Sequence, residues 1–227
     1  MTLIGDNVGR KRFIYKNGQR RLYENTPDPL YIFIENFLVK QRKFVPQTVL
    51  DLGAWNGIFT RMCKQLWPNA HYTCIEAGPE HEYELQRCAN EVHIAVVGDT
   101  NKECIMYHNK KGYTKGASLF DSTDYSDNRH METLSSVVGG NTTYDLIKQD
   151  VQGAELLIMD GSPEIFQRAK YIILEVQVNE QKSVDEYMSK LGFKYNKIIP
   201  KANTTVEFDK IYWRDIAEKL VEKSSKI

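Results

Sequence analysis

Four acidic residues of this 227-residue chain each follow an apolar run: Asp51, Glu76, Asp150 and Glu175. Such runs are typical of buried parallel strands, and parallel sheets bind ligands beyond the carboxyl ends of their strands. We therefore expect the four carboxylates at one edge of a sheet. Carboxylates in that position can bind ribose hydroxyls, accept a proton or hold a hard cation such as Mg²⁺.

The turn after Asp51 indicates which ligand binds there. It has the pattern Asp-x-Gly-x-x-x-Gly, so Gly53 and Gly57 bracket a change from strand to helix. Trp55 stands where a dinucleotide-binding turn has its second glycine, which hinders the approach of a pyrophosphate. Glu76 ends the next apolar run, where a carboxylate is expected to bind two ribose hydroxyls. The pattern predicts a nucleoside ligand without a pyrophosphate, and S-adenosylmethionine fits.

The pattern of apolar residues predicts a single α/β domain whose strands and helices alternate. Expected strands cover residues 49–52, 72–75, 92–97, 104–107, 144–149, 171–174, 193–199 and 206–213. Expected helices cover residues 30–43, 58–67, 80–90, 153–159, 163–169 and 183–191. Residues 108–130 lack a clear period, and we interpret this long segment as a substrate loop or lid.

The first 45 residues differ from the rest of the chain in charge. They hold nine Lys or Arg against four acidic residues, whereas the whole chain has 30 of each class. We predict a basic N-terminal arm and helix over residues 1–45 that cover a catalytic domain over residues 46–227. A short hairpin around Asn17 and Gly18 is expected within the arm. A solvated arm is favoured over a nucleic-acid-binding surface, because the net charge of the chain is zero.

Compartment and membrane association follow from other features of the sequence. No apolar run reaches the length of a membrane span, and the first residues lack an apolar signal segment. The four cysteines, Cys63, Cys74, Cys88 and Cys104, contain no Cys-x-x-Cys pair, which favours buried thiols over a disulfide framework or a zinc site. These observations predict a cytoplasmic protein that does not bind membranes.

Several of these stretches together resemble the FkbM family of S-adenosylmethionine-dependent methyltransferases. The resemblance is carried by residues 49–57, by Ile75-Glu76-Ala77 with Pro79, by residues 146–155 and by residues 172–176. The block Lys148-x-Asp150-x-x-Gly153-x-Glu155 is the most specific part. Position 152 is Gln where the family often has Glu.

The resemblance implies a Rossmann-like class I methyltransferase fold, with a mostly parallel seven-stranded sheet, helices on both faces and the last strand antiparallel. It also implies O-methylation of a hydroxyl on a carbohydrate, a glycan or a polyketide-like product. Family members occur joined to glycosyltransferase domains, so a longer protein containing this module is expected as one possibility. On this interpretation Gly53 to Gly57 contact the methionine half, Glu76 binds the ribose, and Asp51 or Asp150 meets the ammonium group. The predicted cofactor-binding residues are Asp51, Gly53, Ala54, Trp55, Asn56, Gly57, Glu76, Ala77, Ala95, Val96, Val97 and Asp150.

A hydroxyl acceptor needs a base, or a metal ion that lowers its pKa. The candidate catalytic residues are Lys148, Asp150, Glu155 and Glu175, with Asp150 foremost. Asp150 and Glu175 are also candidate ligands of Mg²⁺ or Mn²⁺. Structural alternatives remain open: Lys148 in an ion pair, Asp150 capping a turn, and Glu155 stabilised at a helix N-terminus. His108 and His130 are further candidate bases in the predicted loop, although solvated histidines are more common.

Two functions from other classes compete with methyl transfer. One is a nicotinamide-dependent oxidoreductase, which Trp55 disfavours. The other is an RNA-binding or RNA-modifying module that uses the basic arm, for which affinity would fall steeply with salt.

Overall fold

The computed structural model describes residues 12–16, 19–23, 29–108, 118–119, 125–199 and 207–214. Its strands are β1 Arg12–Lys16, β2 Gln19–Tyr23, β3 Thr48–Leu52, β4 His71–Glu76, β5 Glu91–Ile94, β6 Val96–Gly98, β7 Lys102–His108, β8 Tyr125–Thr133, β9 Leu146–Gln149, β10 Tyr171–Gln177, β11 Tyr195–Ile199 and β12 Glu207–Trp213. Its α-helices are α1 Pro29–Phe33, α2 Ile58–Leu66, α3 Glu82–Gln86, α4 Leu134–Val138, α5 Glu155–Gly161, α6 Pro163–Arg168 and α7 Gln181–Lys190.

Seven strands form the central sheet in the order β11-β12-β10-β9-β3-β4-β5. Strand β12 runs antiparallel to both of its neighbours, and the pairs from β10 to β5 are parallel. This arrangement confirms the predicted mostly parallel seven-stranded α/β sheet with an antiparallel last strand. The sheet places the carboxyl ends of β3, β4 and β9 side by side, where the candidate residues cluster.

Two apolar cores cover the two faces of the sheet, because successive side chains of a strand point in opposite directions. On β3, Val49 packs with Phe59 of α2, whereas Leu50 and Leu52 pack with Ile158 of α5. Helices α6 and α7 lie on the second face, and their residues join the same core as α5. Helices therefore cover both faces of the sheet, as predicted.

The segment before β3 belongs to the first core. Helix α1 continues as a π-helix over Ile34–Gln41, where the sequence predicted one α-helix over residues 30–43. Ile34 and Leu38 are fully buried against Val49. Strands β1 and β2 pair antiparallel, as expected for the hairpin around residues 17–18, which themselves lie outside the described residues. The division between an arm over 1–45 and a catalytic domain stays a prediction.

A second sheet of three strands, in the order β6-β8-β7, adjoins the central one. The sequence predicted one strand over residues 92–97, which is wrong because the chain leaves the central sheet at Ala95. Strand β5 pairs with β4, the Ala95 N–H donates to the Glu76 carbonyl at 2.9 Å, and β6 pairs with β8.

The predicted irregular segment over 108–130 is also partly wrong, since residues 125–130 lie in β8. Only Met131 of β8 is buried, so the strand lacks the alternation of apolar residues that would have identified it. The remainder, residues 109–117 and 120–124, lies outside the described residues, and its interpretation as a substrate loop stays a prediction.

Burial of the cysteines agrees with the sequence interpretation. Cys63, Cys74 and Cys88 are buried free thiols, and Cys104 is half-buried. Burial raises the pKa of each thiol, so all four are held in the unreactive protonated form. Within the described ranges, no helix has the length and apolar character to cross a bilayer.

Candidate active site

A cleft with about 890 Å³ of empty space, partly open to solvent, lies at the carboxyl ends of β3, β4 and β9. Eight of the predicted cofactor-binding residues line it: Gly53, Trp55, Glu76, Ala77, Ala95, Val96, Val97 and Asp150. Other lining residues were not predicted: Leu52, Ile75, Met106, Ser118, Leu119, Val151, Gln152, Ala154 and Ile158. The predicted residues Asp51, Ala54, Asn56 and Gly57 are not among the residues that line it.

Gly53 allows the turn after β3 to approach the end of β9. Its φ is +69°, and a Cβ built on it would lie 1.9 Å from the backbone oxygen of Asp150. Gly57 has a φ of +77°, and its Cβ would meet the Cys88 sulfur at 2.5 Å. Gly57 therefore lets the start of α2 approach Cys88, which follows α3. The loop from Gly53 to Gly57 therefore lies close to Asp150 at one end and to Cys88 at the other.

Trp55 and Glu76 join the first two βα turns. The Trp55 N–H donates to Glu76 Oε2 at 2.7 Å, and the Gly78 N–H donates to Glu76 Oε1 at 2.9 Å. A carboxylate accepts about four hydrogen bonds, so each oxygen of Glu76 keeps capacity for a ligand hydroxyl. Trp55 itself has a φ of +47°, which is uncommon for a residue other than glycine. This strained conformation places the indole at the cleft.

Asp51 is fully buried beneath the loop and does not face the cleft. Thr60 donates its hydroxyl to Asp51 Oδ2 at 2.7 Å, and the Lys148 ammonium lies 3.6 Å from Asp51 Oδ1. Burial raises the pKa of Asp51, although Lys148 and Thr60 act in the opposite direction. Of the two carboxylates expected to meet a ligand ammonium, only Asp150 lines the cleft.

Lys148 connects the buried and exposed parts of the site. Its Nζ donates to the Gly53 carbonyl at 3.1 Å and lies 3.5 Å from Asp150 Oδ2. Burial alone would lower the pKa of Lys148, but the surrounding carboxylates outweigh burial and raise it. These carboxylates belong to Asp150, Asp51, Asp209 and Glu175. The geometry therefore favours Lys148 as a cation within an ion-pair network, and its catalytic role stays a prediction.

Asp150 and Glu175 are joined by Gln152. The Gln152 side-chain amide donates to Asp150 Oδ1 at 3.1 Å and to Glu175 Oε2 at 3.0 Å. Glu175 lies within β10, opposite Asp209 of β12, and both side chains are buried. The structure thus brings Lys148, Asp150 and Glu175 together as the sequence expected, and only Asp150 of the three lines the cleft.

Glu155 occupies the start of α5, behind the cleft. Its Oε1 accepts the Val151 N–H at 3.0 Å, and the carboxyl group is buried. Burial raises the pKa of Glu155 to about 7, and the Val151 N–H opposes the shift. Because Glu155 closes its own turn and does not line the cleft, the geometry favours the structural alternative over a role as base.

The sequence also offered Asp150 and Glu175 as metal ligands, and His108 and His130 as bases. In the described ranges, no three His, Cys, Asp or Glu side chains are grouped to hold a metal ion. Gln152 donates its amide to both proposed ligands, Asp150 and Glu175. His130 lies on β8 and contacts Glu103 at 2.9 Å, away from the cleft, and the side chain of His108 lies outside the described residues.

The charge of the cleft has one sign. Glu76 and Asp150 are its ionisable lining residues, and no Lys, Arg or His lines it within the part of the chain that the structure describes. The apolar wall includes Ala77, Val97 and Met106. This lining suits a ligand with a flat apolar group, hydroxyls and a positive charge.

Sequence reasoning missed Ser118, Gln152 and Asp209. Ser118 lies in the predicted loop, and its hydroxyl donates to the Gln152 carbonyl at 3.1 Å. Asp209 lies in a late strand, where no motif distinguished it. Gln152 stood within the most specific block, and its difference from the family pattern was the one available signal.

Comparisons with known proteins agree with this geometry. A family model described as the methyltransferase FkbM domain matches residues 51–195. The structure of methyltransferase FkbM from Methylobacillus flagellatus KT superposes with a TM-score of 0.56 at 11% identity, covering 74% of this chain and 43% of that protein. This chain therefore spans less than half the length of that neighbour.

A second neighbour is similar over most of both chains. The plantazolicin methyltransferase BpumL, in complex with a monoazolic desmethylPZN analog and SAH, gives a TM-score of 0.50 at 11% identity. The match covers 82% of this chain and 83% of BpumL. At such identities the neighbours show the fold alone, and comparison with curated protein sequences finds no match. Since the family model covers more than half of the chain and includes the cleft, the chain belongs to the FkbM methyltransferase family.

Proposed function

We propose that this protein transfers a methyl group from S-adenosylmethionine to a hydroxyl oxygen of a carbohydrate. The observation that supports the cofactor is the charge of the cleft, which Glu76 and Asp150 line without a basic residue among those described. S-adenosylmethionine carries a sulfonium and an ammonium, whereas a nicotinamide dinucleotide carries an anionic pyrophosphate. A negative cleft attracts the first ligand and repels the second.

The remaining lining residues fit the parts of this cofactor. Glu76 keeps acceptor capacity for the two ribose hydroxyls, while its bonds to the Trp55 and Gly78 N–H groups hold it in place. Ala77, Val97 and Met106 offer an apolar surface for the adenine ring. Asp150 is the carboxylate positioned for the methionine ammonium or for the acceptor.

The chemistry that the bound cofactor supplies is a methyl group already activated by its positive sulfur. The chain must then hold an acceptor oxygen in line with that group, and such positioning can contribute on the order of 7–11 kcal/mol. Asp150 is the residue suited to take the hydroxyl proton, because it lines the cleft whereas Lys148 and Glu175 do not. The Lys148 ammonium lies 3.5 Å from Asp150 Oδ2, so it attracts the negative charge of that carboxylate.

The acceptor class is supported by the family resemblance and by this carboxylate. A sugar hydroxyl is a poor nucleophile until it loses its proton, so an enzyme that methylates it benefits from a base at the cleft. The polar residues Ser118 and Gln152 line the same cleft and are able to bind further hydroxyls.

The test combines binding with transfer. Calorimetric titrations with S-adenosylmethionine and with NAD compare the two cofactor classes, and we expect heat only with the first. Glycans, RNA and protein are then incubated with the enzyme and methyl-labelled S-adenosylmethionine. Label on a glycan supports the proposal. Label confined to RNA or to protein side chains overturns the acceptor, and binding of NAD alone overturns the cofactor.

A further inference from the structure

Gln152 uses the nitrogen of its side-chain amide to bind two carboxylates. The Nε2 atom lies 3.1 Å from Asp150 Oδ1 and 3.0 Å from Glu175 Oε2. A glutamine amide has two N–H groups, so this geometry gives one to each carboxylate. Gln152 adopts a φ of +57°, a left-handed conformation that is uncommon outside glycine. Strain of this kind persists only where surrounding contacts hold it, and it concentrates at functional sites.

Contacts from a second direction hold the Gln152 backbone. Its carbonyl accepts the Ser118 hydroxyl at 3.1 Å. Ser118 in turn exchanges two backbone hydrogen bonds with Tyr107 of β7, at 2.9 and 3.0 Å. The turn after β9 is therefore fixed to the second sheet, and the direction of the Gln152 side chain is fixed with it.

The two hydrogen bonds of the Gln152 amide offset the repulsion between Asp150 and Glu175. The oxygens of Asp150 and Glu175 that share one nitrogen are at most about 6 Å apart. Two carboxylates at that separation repel, and a site of this kind otherwise favours protonation of one group or binding of a divalent cation. The amide donors of Gln152 stabilise both negative charges, and the Lys148 ammonium adds a positive charge 3.5 Å from Asp150 Oδ2.

We infer that Gln152 is a positioning residue whose amide takes the place of a divalent cation between Asp150 and Glu175 and orients Asp150 toward the acceptor. The role of Asp150 as base rests on the proposed function. The exclusion of a cation by the amide does not rest on the proposed function, because it concerns only the side chains of Asp150, Gln152 and Glu175. The protein is accordingly a methyltransferase that works without a divalent metal at this edge of its sheet.

A binding experiment tests the inference without any turnover. Free Mn²⁺ is measured by electron paramagnetic resonance during titration of the wild-type protein and of Gln152→Glu. The variant loses both amide donors and gains a third carboxylate of the same length. We expect the wild type to leave the Mn²⁺ signal unchanged and the variant to reduce it. The matched control is Gln152→Glu combined with Asp150→Asn, which should restore the signal.

The outcomes separate clearly. The inference would be overturned if the wild type binds Mn²⁺ and Asp150→Asn abolishes that binding. It would also be overturned if Gln152→Glu leaves the Mn²⁺ signal unchanged although circular dichroism shows the variant to be folded. If Gln152→Glu does not fold, Gln152→Met provides the same comparison, because it removes the donors without adding charge. Weak Mn²⁺ binding by Gln152→Met is then the supporting result, and its absence overturns the inference.

Turnover gives the second readout once an acceptor is in hand. Loss of a charge-assisted hydrogen bond predicts that kcat of Gln152→Glu falls by about 10- to 100-fold. Added Mn²⁺ should recover part of the kcat of the variant, whereas a chelator should leave the wild type unchanged. A chelator-sensitive wild type would contradict the inference. A wild type that methylates no glycan would contradict the proposed function and leave the Mn²⁺ comparison valid.

Discussion

The backbone N–H of Trp55 donates to the Glu76 carboxylate across 2.7 Å, so the turn after the first strand of the parallel sheet is bound to the end of the second. Both residues line the cleft. The affinity for a ligand that contacts Glu76 therefore also depends on the conformation of the turn at Trp55.

Glu76→Ala is expected to weaken S-adenosylmethionine binding by about 10- to 100-fold, the usual effect of losing a charged hydrogen-bonding partner. The dissociation constant is measured by calorimetry on a variant that circular dichroism shows to be folded. Glu82→Ala is the control, because Glu82 is exposed and does not line the cleft. An unchanged affinity in Glu76→Ala would remove Glu76 from the binding site.

Asp150→Asn keeps the shape of the side chain and removes its charge. If Asp150 is the base, the rate should fall by about 10²- to 10⁴-fold while cofactor affinity changes little. If Asp150 only caps the following turn, asparagine substitutes almost as well and turnover persists. Single-turnover rates with labelled cofactor distinguish the two, and a wild-type rate in the variant would move the search for a base to Glu175 or the segment before β8.

Lys148→Met should destabilise the fold by about 3–5 kcal/mol, because it leaves the fully buried Asp51 carboxylate without its cation. The free energy of unfolding is measured by urea denaturation. Lys182→Met is the control, since that side chain is 90% exposed and its loss should change stability by less than about 0.5 kcal/mol.

A double variant sharpens this prediction. Asp51→Asn together with Lys148→Met removes both charges, and it should recover part of the stability that Lys148→Met loses. A double variant that is less stable than Lys148→Met would contradict the buried-pair explanation.

Gly53→Ala is expected to be far more damaging than Gly139→Ala. Both glycines have a positive φ, +69° and +83°, so an alanine is strained at either position. At Gly139 the added Cβ meets nothing closer than 3.5 Å, whereas at Gly53 it lies 1.9 Å from the Asp150 backbone oxygen. Thermal denaturation measures the difference, and equal melting temperatures would show that the turn after β3 does not press against β9.

Glu155 predicts a pH dependence of stability. Burial raises its pKa from 4.5 to about 7, so between those values the folded protein binds more protons than the unfolded chain. Stability contributed by the protonated form is complete below pH 4.5 and is lost as the pH rises through 7. The loss should approach about 3 kcal/mol at pH 8.

The comparison with Glu155→Gln isolates this effect, because glutamine keeps the shape and cannot titrate. Urea denaturation of both proteins from pH 5 to pH 8 should show the wild type losing stability relative to the variant. Parallel curves would mean that the Glu155 carboxyl titrates near its ordinary value.

The order of elements was predictable from the sequence where strands are buried and helices amphipathic. Strands β3 and β4, whose ends form the cleft, could be identified from the buried residues Leu50, Leu52 and Ile75. Glu76 comes directly after Ile75, so its position at the end of β4 could be predicted as well. The split at Ala95 was not predictable, because both sides of it are apolar and β-branched. Strand β8 was missed since it is mostly exposed and polar.

Side-chain direction separates the candidate residues that line the cleft from those that do not. Asp51 and Asp150 both follow apolar runs, but Asp51 is still inside its strand and shares a face with Val49, under α2. Asp150 lies one residue beyond β9 and reaches the cleft. A shift of one residue relative to a strand end therefore decides between a carboxylate in a buried ion pair and one that lines the cleft, and sequence patterns locate strand ends less accurately than that.

Strand β12 has a consequence for synthesis of the protein. It inserts between β10 and β11, although the chain makes β11 first. While the ribosome has not yet released residues 207–213, β10 presents an open hydrogen-bonding edge and β11 has no partner in the sheet. A nascent chain at this stage resembles a sheet with a bare edge, the form most prone to pair with another chain. Folding without aggregation therefore depends on how quickly residues 207–213 leave the ribosome and pair with β10 and β11.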